Sequence, residues 1–359
     1  MKNVLEFHII HPMATSCLNR DEFGNQKTIK IGGTLRTRVS SQSWKYAIRK
    51  AFQERYNTGI RTNKKGLIDI ISNTLQENNF DMNSSEVTTI INQICSMYFP
   101  ASKNKKAKKD TDENNNKNET SEKDNVIVFV SPQEIKDIVN FYATNKDAKK
   151  EQLKDIIEKI KYELDIALFG RLLTSGSVLD TMIDGSFYMA HAISVNRHEN
   201  IDDFFTSNID TEITHSTHIN TRDCVAPILY RYFAIDLNQC LKNIHSEQID
   251  MNALSYFIEN AIFTMPVGLQ HAMTSFTRPY YIRMNYYDNC KCLSQVAFEK
   301  SIDNIKIEDN KEISIAEQAK FKIQEELENN FKNYSSSKPI VCIEDNMDEI
   351  INFVKKLKF

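Results

Sequence analysis

Six segments of distinct periodicity follow one another in an order that few folds accommodate. Residues 4–10 form an apolar run of strand length. Ser40 and Ser41 then supply an N-cap for a helix over 41–57, in which Trp44, Ala47, Ile48 and Ala51 recur at helical spacing. Residues 186–195 alternate as a strand does, with Phe187, Met189, His191, Ile193 and Val195 on one side. A second apolar strand covers 227–235, a helix 251–263 and a last strand 280–286, so the order reads β-α-β-β-α-β.

That order is the ferredoxin-like one of an RNA-recognition-motif core, and it predicts an α+β fold. Residues 67–99 and 132–164 are helical in pattern and read as an insertion over 61–164. Residues 102–125 (SKNKKAKKDTDENNNKNETSEKDN) have almost no apolar side chains and read as a disordered loop. A polar loop is expected over 196–223, and helices close the chain in 301–359. The Leu-Tyr-Arg-Tyr-Phe of 229–233 does not fit the aromatic pattern of a standard RNA-recognition motif and reads as core. Because this fold serves many functions, function has to be read from particular residues.

No apolar stretch reaches the roughly 18 residues a membrane span needs, and no secretory signal precedes residue 12. A cytoplasmic protein with no membrane partner is expected. The seven cysteines are scattered, Cys290-x-Cys292 has no second pair at zinc spacing, and His215-x-x-His218 lacks a carboxylate cluster, so no metal is expected. No nucleophile elbow, Walker loop or HExxH motif appears either. Gly170 to Gly176 has too few glycines for a phosphate loop and no lysine after them. No catalytic residue and no cofactor is expected.

The net charge is −3, yet residues 20–65 hold twelve Lys and Arg against Asp21, Glu22 and Glu54, an excess of nine positive charges. Such an excess in an acidic chain is what a polyanion-binding surface requires, although counter-charges elsewhere in the fold would serve equally. Within that stretch Lys45 and Arg49 stand four apart and share a helix face. Beside them, a helix N-terminus with Ser40, Ser41 and Gln42 offers donors to an anion. The same serines read as plain caps if no anion is bound. Asn19, Arg20 and Lys27 add donors in the preceding loop, and Gly32-Gly33 would let a phosphate backbone approach the main chain closely. Phe204 and Phe205, in Asp-Asp-Phe-Phe-Thr at 202–206, are either a packing plug or a wedge for bases.

These residues carry a resemblance. CLNRDEFGNQK at 17–27, GGTLRTRVSSQSWKYAIRK at 32–50, DIALFGRLLTSG at 165–176, MAHAISVN at 189–196, DDFFT at 202–206 and YRYFAIDL at 230–237 look like the type I-E Cascade backbone subunit, CasC or Cas-seven. The similarity runs in order from the first strand to about residue 300. It implies a palm of 1–60 with 165–300, helical fingers over 61–164, a protruding thumb at 196–223 and a C-terminal segment, 301–359, completing the palm. It also implies that copies stack in a helical filament along a CRISPR guide RNA, with other Cascade subunits and with target DNA paired to the guide. Asn19, Arg20, Lys27, Ser40, Gln42, Lys45 and Arg49 would grip the ribose-phosphate chain. Arg171 and Leu172 would line the guide where a base is turned out, and Phe205 with Thr206 would sit on the thumb. Trp44, Leu172 and Phe204 depart from the family's usual residues, apolar for apolar. Separately from the resemblance, the density of lysines at 146–161 points to a contact with target DNA. The rival reading is a target-RNA endonuclease, as in related type III subunits, with Asp21 near a divalent metal.

Overall fold

The computed structural model describes residues 1–99, 126–145, 160–172, 182–208, 216–334 and 338–358, and excludes the side chains of 206–208 and 216–220. Strands β1 (Lys2–Pro12), β2 (Thr28–Ile31) and β3 (Thr34–Val39) lead into helix α1 (Ser41–Gln53). Then come β4 (Ile60–Thr62), α2 (Lys64–Glu77), α3 (Ser85–Tyr98), β5 (Val128–Val130), α4 (Pro132–Thr144) and α5 (Leu164–Phe169). The chain continues with β6 (Phe187–Met189), β7 (Ala192–Ser194), β8 (Ile201–Asn208), β9 (Ser216–Cys224), β10 (Ile228–Asp236), α6 (Leu237–Ile244), α7 (Met251–Phe263) and α8 (Gln270–Met273). Strands β11 (Tyr281–Asn289), β12 (Lys306–Glu308) and β13 (Lys311–Ile313), helix α9 (Ile315–Asn333), β14 (Val341–Glu344) and α10 (Met347–Lys356) complete it. No helix among the described residues is long and apolar enough to cross a membrane.

The chain divides into two units, Met1–Tyr56 with Phe187–Asn238 and Asp250–Phe359, and Asn57–Ser186 with Gln239–Ile249. The first is built on an antiparallel sheet in the order β14-β11-β1-β10-β7-β3-β2, with β6 also paired to β10. Period-2 alternation gives each central strand two buried faces. On one, Phe7 stacks on Phe233 at 4.5 Å, and Phe187 meets Phe257 of α7 edge-on at 5.1 Å. Phe52 of α1 also packs on Phe257, so α1 and α7 cover this face. The opposite face carries Tyr230, Tyr232 and Tyr287 and is covered by Phe298 and by Ala316, Ala319, Ile323 and Leu327 of α9. These tyrosines are therefore core residues, with no open sheet surface to present.

That second face also buries a carboxylate. Glu6 accepts from Tyr232 Oη, Tyr287 Oη (2.9 Å), Ser294 N (2.7 Å) and Ser294 Oγ (2.6 Å), with His8 Nε2 3.5 Å away. Burial alone would raise its pKa, but the hydrogen bond and charge of His8, with Ser294 and Tyr232, hold it down at about 2.

The expected strand over 186–195 is two strands. Met189 lies opposite Phe233 and Ile193 opposite Tyr230, so four steps on one side match three on the other. This one-residue bulge at Ala190-His191 changes the face on which side chains fall, and Ala192 and Ser194 are buried where Ile193 was expected. The expected polar loop at 196–223 contains the antiparallel hairpin β8–β9, with Phe205 opposite Asn220.

In the second unit, α2, α3 and α4 pack Leu67, Ile71, Ile90, Ile94, Ile135 and Ile138 into one core. Asn63, Ser84 and Ser131 cap them by accepting from the amides of Gly66, Val87 and Glu134. Residues 102–125 and the lysines of 146–159 lie outside the described residues.

Candidate nucleic-acid interface

Helix α1 starts where the sequence places it. Ser40 is the N-cap, its Oγ accepting from Ser43 N at 3.2 Å. Two side chains brought from elsewhere complete the terminus. Asn19 Oδ1 accepts from Ser40 N at 2.9 Å, tying the loop after β1 to the helix. His191 Nδ1, turned inward by the β6–β7 bulge, accepts from Ser41 N at 2.9 Å. Burial, with the charge of Arg38, lowers the pKa of His191 and keeps the ring neutral and able to accept.

This corrects the expectation of a freely open helix terminus. The amides of Ser41 and Ser43 are already met inside the protein, and among the described residues the Gln42 amide is the first-turn donor with no partner. Gln42 itself is exposed. An anion here would meet one amide and the Gln42 side chain, with the positive end of the α1 dipole behind them.

The loop before the helix is rigid for reasons the sequence did not disclose. Gln26 is buried, donates to Arg38 O at 2.9 Å and Lys27 O at 3.2 Å, and accepts from Asn19 N at 3.5 Å. Lys27 N donates to Asn19 O at 2.8 Å. Arg20 is left exposed and Lys27 half-buried on this frame. Asp21 closes the loop tip, its Oδ1 accepting from Phe23 N and Asn25 N, both at 2.9 Å.

The cations divide sharply. Lys45 is half-buried, donates to Phe187 O at 3.1 Å and lies 5.3 Å from that ring's centroid. Arg49, expected on the same exposed face, is 5 % exposed and belongs to the buried stripe with Trp44, Ile48 and Phe52. The helix is covered over a wider arc than four apolar positions implied, so Arg49 is not a surface contact. Arg36 is wholly internal, donating to Ser194 O, Val195 O, Phe298 O and Glu299 O at 2.8–3.4 Å. Two of the twelve positive charges in 20–65 are therefore structural.

Gly32 and Gly33 are the two-residue turn joining β2 and β3, both at positive φ (+54° and +81°). A Cβ on Gly32 would lie 2.0 Å from Glu299 O, so the close approach it permits is to protein backbone.

In the second unit, Arg171 is buried and donates to both Glu134 oxygens (2.7 and 3.3 Å) and to Tyr162 Oη (3.1 Å). The expectation that it lines a guide is corrected: its guanidinium is used inside the unit. Burial alone would lower its pKa, and the facing Glu134 outweighs this and raises it. Its neighbour Leu172 is 81 % exposed. On β8, Phe204 is exposed, and Phe205 lies beneath the Arg222 guanidinium at 4.7 Å. The Thr206 backbone pairs with Ile219, and its side chain lies outside the described residues.

No curated protein matches the chain. Among solved structures it resembles a chain of a CRISPR RNA-guided surveillance complex, pre-nicking, with a TM-score of 0.69 at 21% identity over 98% of this chain and 100% of that one. A chain of another CRISPR RNA-guided surveillance complex matches with a TM-score of 0.60 at 20% identity, over 95% of this chain and 90% of that one. At these identities the likeness is one of fold. The model of the CT1975-like proteins matches residues 5–355, and the chain belongs to that family.

Proposed function

We propose that this protein is a backbone subunit of a Cascade-type surveillance complex that holds CRISPR guide RNA by its ribose-phosphate chain. The observation that carries the reading is the fastening of the loop bearing Arg20 and Lys27 to the N-terminus of α1 through Asn19 and Ser40. It puts two cations, an exposed Gln42 and a helix dipole on one rigid frame of the first unit. Contacts of that kind read backbone and not bases, as a subunit serving any guide must. Sequence would then be read by pairing of guide with target DNA.

The finer features belong to the same proposal. The strand order β11-β1-β10-β7, with α1 and α7 on one face, supports a ferredoxin-like, RNA-recognition-motif-like palm. Residues 61–164 would be the fingers, 196–223 the thumb and 301–359 the palm's C-terminal complement. Copies would stack along the guide with other Cascade subunits, in the cytoplasm, in a type I-E system. The subunit itself would be non-catalytic. Asp21 supports this, because its carboxylate closes a turn on two amides.

The test is guide binding by the purified chain across a salt series. Lys45→Ala and Arg20→Ala should each weaken binding whatever the RNA sequence, and lower the salt slope by roughly 0.7 per lost contact. An unchanged slope in both variants refutes the assignment. Cleavage of guide-complementary RNA that disappears in Asp21→Ala would favour the endonuclease reading instead.

A further inference from the structure

Residues 264–280, between α7 and β11, are under backbone strain and tightly tied down. Leu269 and Thr274 lie in the left-handed region at φ +58° and +35°, where side-chain-bearing residues cost energy. Gln270 is buried among them, donating to Pro266 O at 3.1 Å and accepting from Ser275 N at 2.8 Å. Thr277 Oγ1 donates to Pro12 O at 2.7 Å, His11 Nε2 donates to Thr277 O at 2.9 Å, and Tyr280 N donates to Ile10 O at 2.8 Å.

Ser275 and Thr277 are tied inward and alternate with the exposed Phe276 and Arg278, and Tyr280, held through its backbone amide, also leaves its ring exposed. Phe276 is 60 % exposed, Tyr280 47 %, and Arg278 is exposed with no carboxylate partner among the described residues. At about 3.3 Å per residue for extended chain, the Cα atoms of Phe276 and Tyr280 are at most roughly 13 Å apart, with Arg278 midway between them in sequence. The same segment touches the loop of the candidate interface: a Cβ on Gly268 would lie 2.5 Å from Leu18 O, one residue from Asn19 and two from Arg20.

We infer that Phe276, Arg278 and Tyr280 form a second single-stranded nucleic-acid contact, continuous with the Arg20 loop. Bases stack on the two rings and a phosphate is held by Arg278. Aromatic faces interleaved with a cation on a rigid extended backbone are what sequence-tolerant single-strand binding uses. Exposed as they are, these three side chains contribute little to the packing of this unit. The inference rests on the nucleic-acid reading above, and the strand it serves is either the bound guide or a target strand entering beside it.

The test uses the full-length chain, a fluorescent single-stranded RNA of mixed sequence and, with that RNA bound, its complementary DNA strand. Phe276→Leu keeps the apolar bulk but removes the flat face, and should weaken one of the two strands about tenfold with an unchanged salt slope. Phe276→Tyr should restore binding. Arg278→Gln should weaken the same strand and lower its salt slope by roughly 0.7. Which strand responds distinguishes guide from target. Lys45→Ala is the control: if it weakens RNA binding while the stripe variants bind both strands normally, the stripe is wrong and the main reading stands. If no variant has an effect, both fall. Loss of subunit assembly at unchanged affinity for both strands would mark a protein-docking face and overturn the inference.

Discussion

The Arg231 guanidinium lies 3.9 Å from the centroid of the Trp44 ring, and the two groups lock α1 to the sheet from beneath. Both are fully buried. Arg231 has no carboxylate partner among the described residues. It donates instead to Ala261 O (2.5 Å) and Ile262 O (2.8 Å), the closing carbonyls of α7, and to His11 Nδ1 (3.0 Å). A cation at a helix C-terminus is favoured by the dipole, and an aromatic face repays part of its desolvation. One side chain thus fixes β10, α7 and the buried side of α1, the helix whose outer side carries Gln42 and Lys45.

Arg231→Leu should therefore cost roughly 3 kcal/mol, since it strands two buried carbonyls as well as emptying the space over Trp44. Urea denaturation should show a lower midpoint with little change in slope. Trp44→Phe, which retains a ring under the guanidinium, should cost clearly less. A neutral Arg231→Leu would show that the carbonyls find other donors.

Acid should unfold the first unit through two buried groups that act in the same direction. Burial, and then the charge of Arg231, lower the pKa of His11 from its ordinary 6.5 to about 3, and Glu6 falls from 4.5 to about 2. In both cases the unfolded chain binds protons more readily than the folded one, so stability rises with pH across the interval between the two values. The His11 contribution is present above pH 6.5 and is lost as pH falls towards 3; that of Glu6 is lost between 4.5 and 2. At pH 5 the loss from His11 alone should be about 2 kcal/mol. Denaturant titrations between pH 7 and 4 measure it. His11→Gln, which has no proton to gain, should flatten the slope above pH 4.5 while lowering stability overall.

In the second unit, Arg171 and its neighbour should respond in opposite ways. Glu134→Ala takes the carboxylate away from a buried guanidinium and should cost about 3–5 kcal/mol. Leu172→Ala removes an exposed side chain and should change stability by less than about 0.5 kcal/mol. If Leu172 lines the guide where a base is turned out, as the family resemblance implies, its truncation should instead lower affinity for the target strand. Thermal melts and strand-binding assays on the two variants separate support from contact.

What could be read beforehand follows from where the information resides. Helix α1 was legible because its cap and its buried stripe, Ser40 with Trp44, Ala47 and Ile48, are local. Strands β1 and β10 were legible because their apolar runs are long. The hairpin β8–β9 was missed because Ile-Asp-Asp-Phe-Phe-Thr-Ser-Asn has polar residues on both faces, leaving no alternation to detect. Arg36 and Arg49 look like surface charges in sequence. Arg36 is internal because carbonyls at 194–195 and 298–299, far along the chain, converge on it. His191 reaches α1 because of a bulge that no periodicity announces. Gln26 and Asn19 carried a weak signal, as amides beside a helix start, but their partners are set by the fold.

The hairpin supplies the last expectation. Arg222, opposite Asp203 in register, reaches diagonally over the Phe205 ring, while Phe204 points to solvent from the other face. One face of Phe205 is thereby fixed by a cation, and the ring can act as a stiff wedge at little entropic cost when it meets a base or a neighbouring subunit. Phe205→Ala should leave the RNA affinity of a single chain nearly intact and impair assembly along the guide or pairing with target. Arg222→Gln should give part of the same defect. Arg222→Lys should give a milder defect than Arg222→Gln without matching the native arginine, because an ammonium keeps the charge but lacks the planar group that stacks. Analytical ultracentrifugation of guide-loaded protein, with target-strand binding measured in parallel, reads both effects. Normal assembly and normal pairing in Phe205→Ala would remove this hairpin from the thumb role.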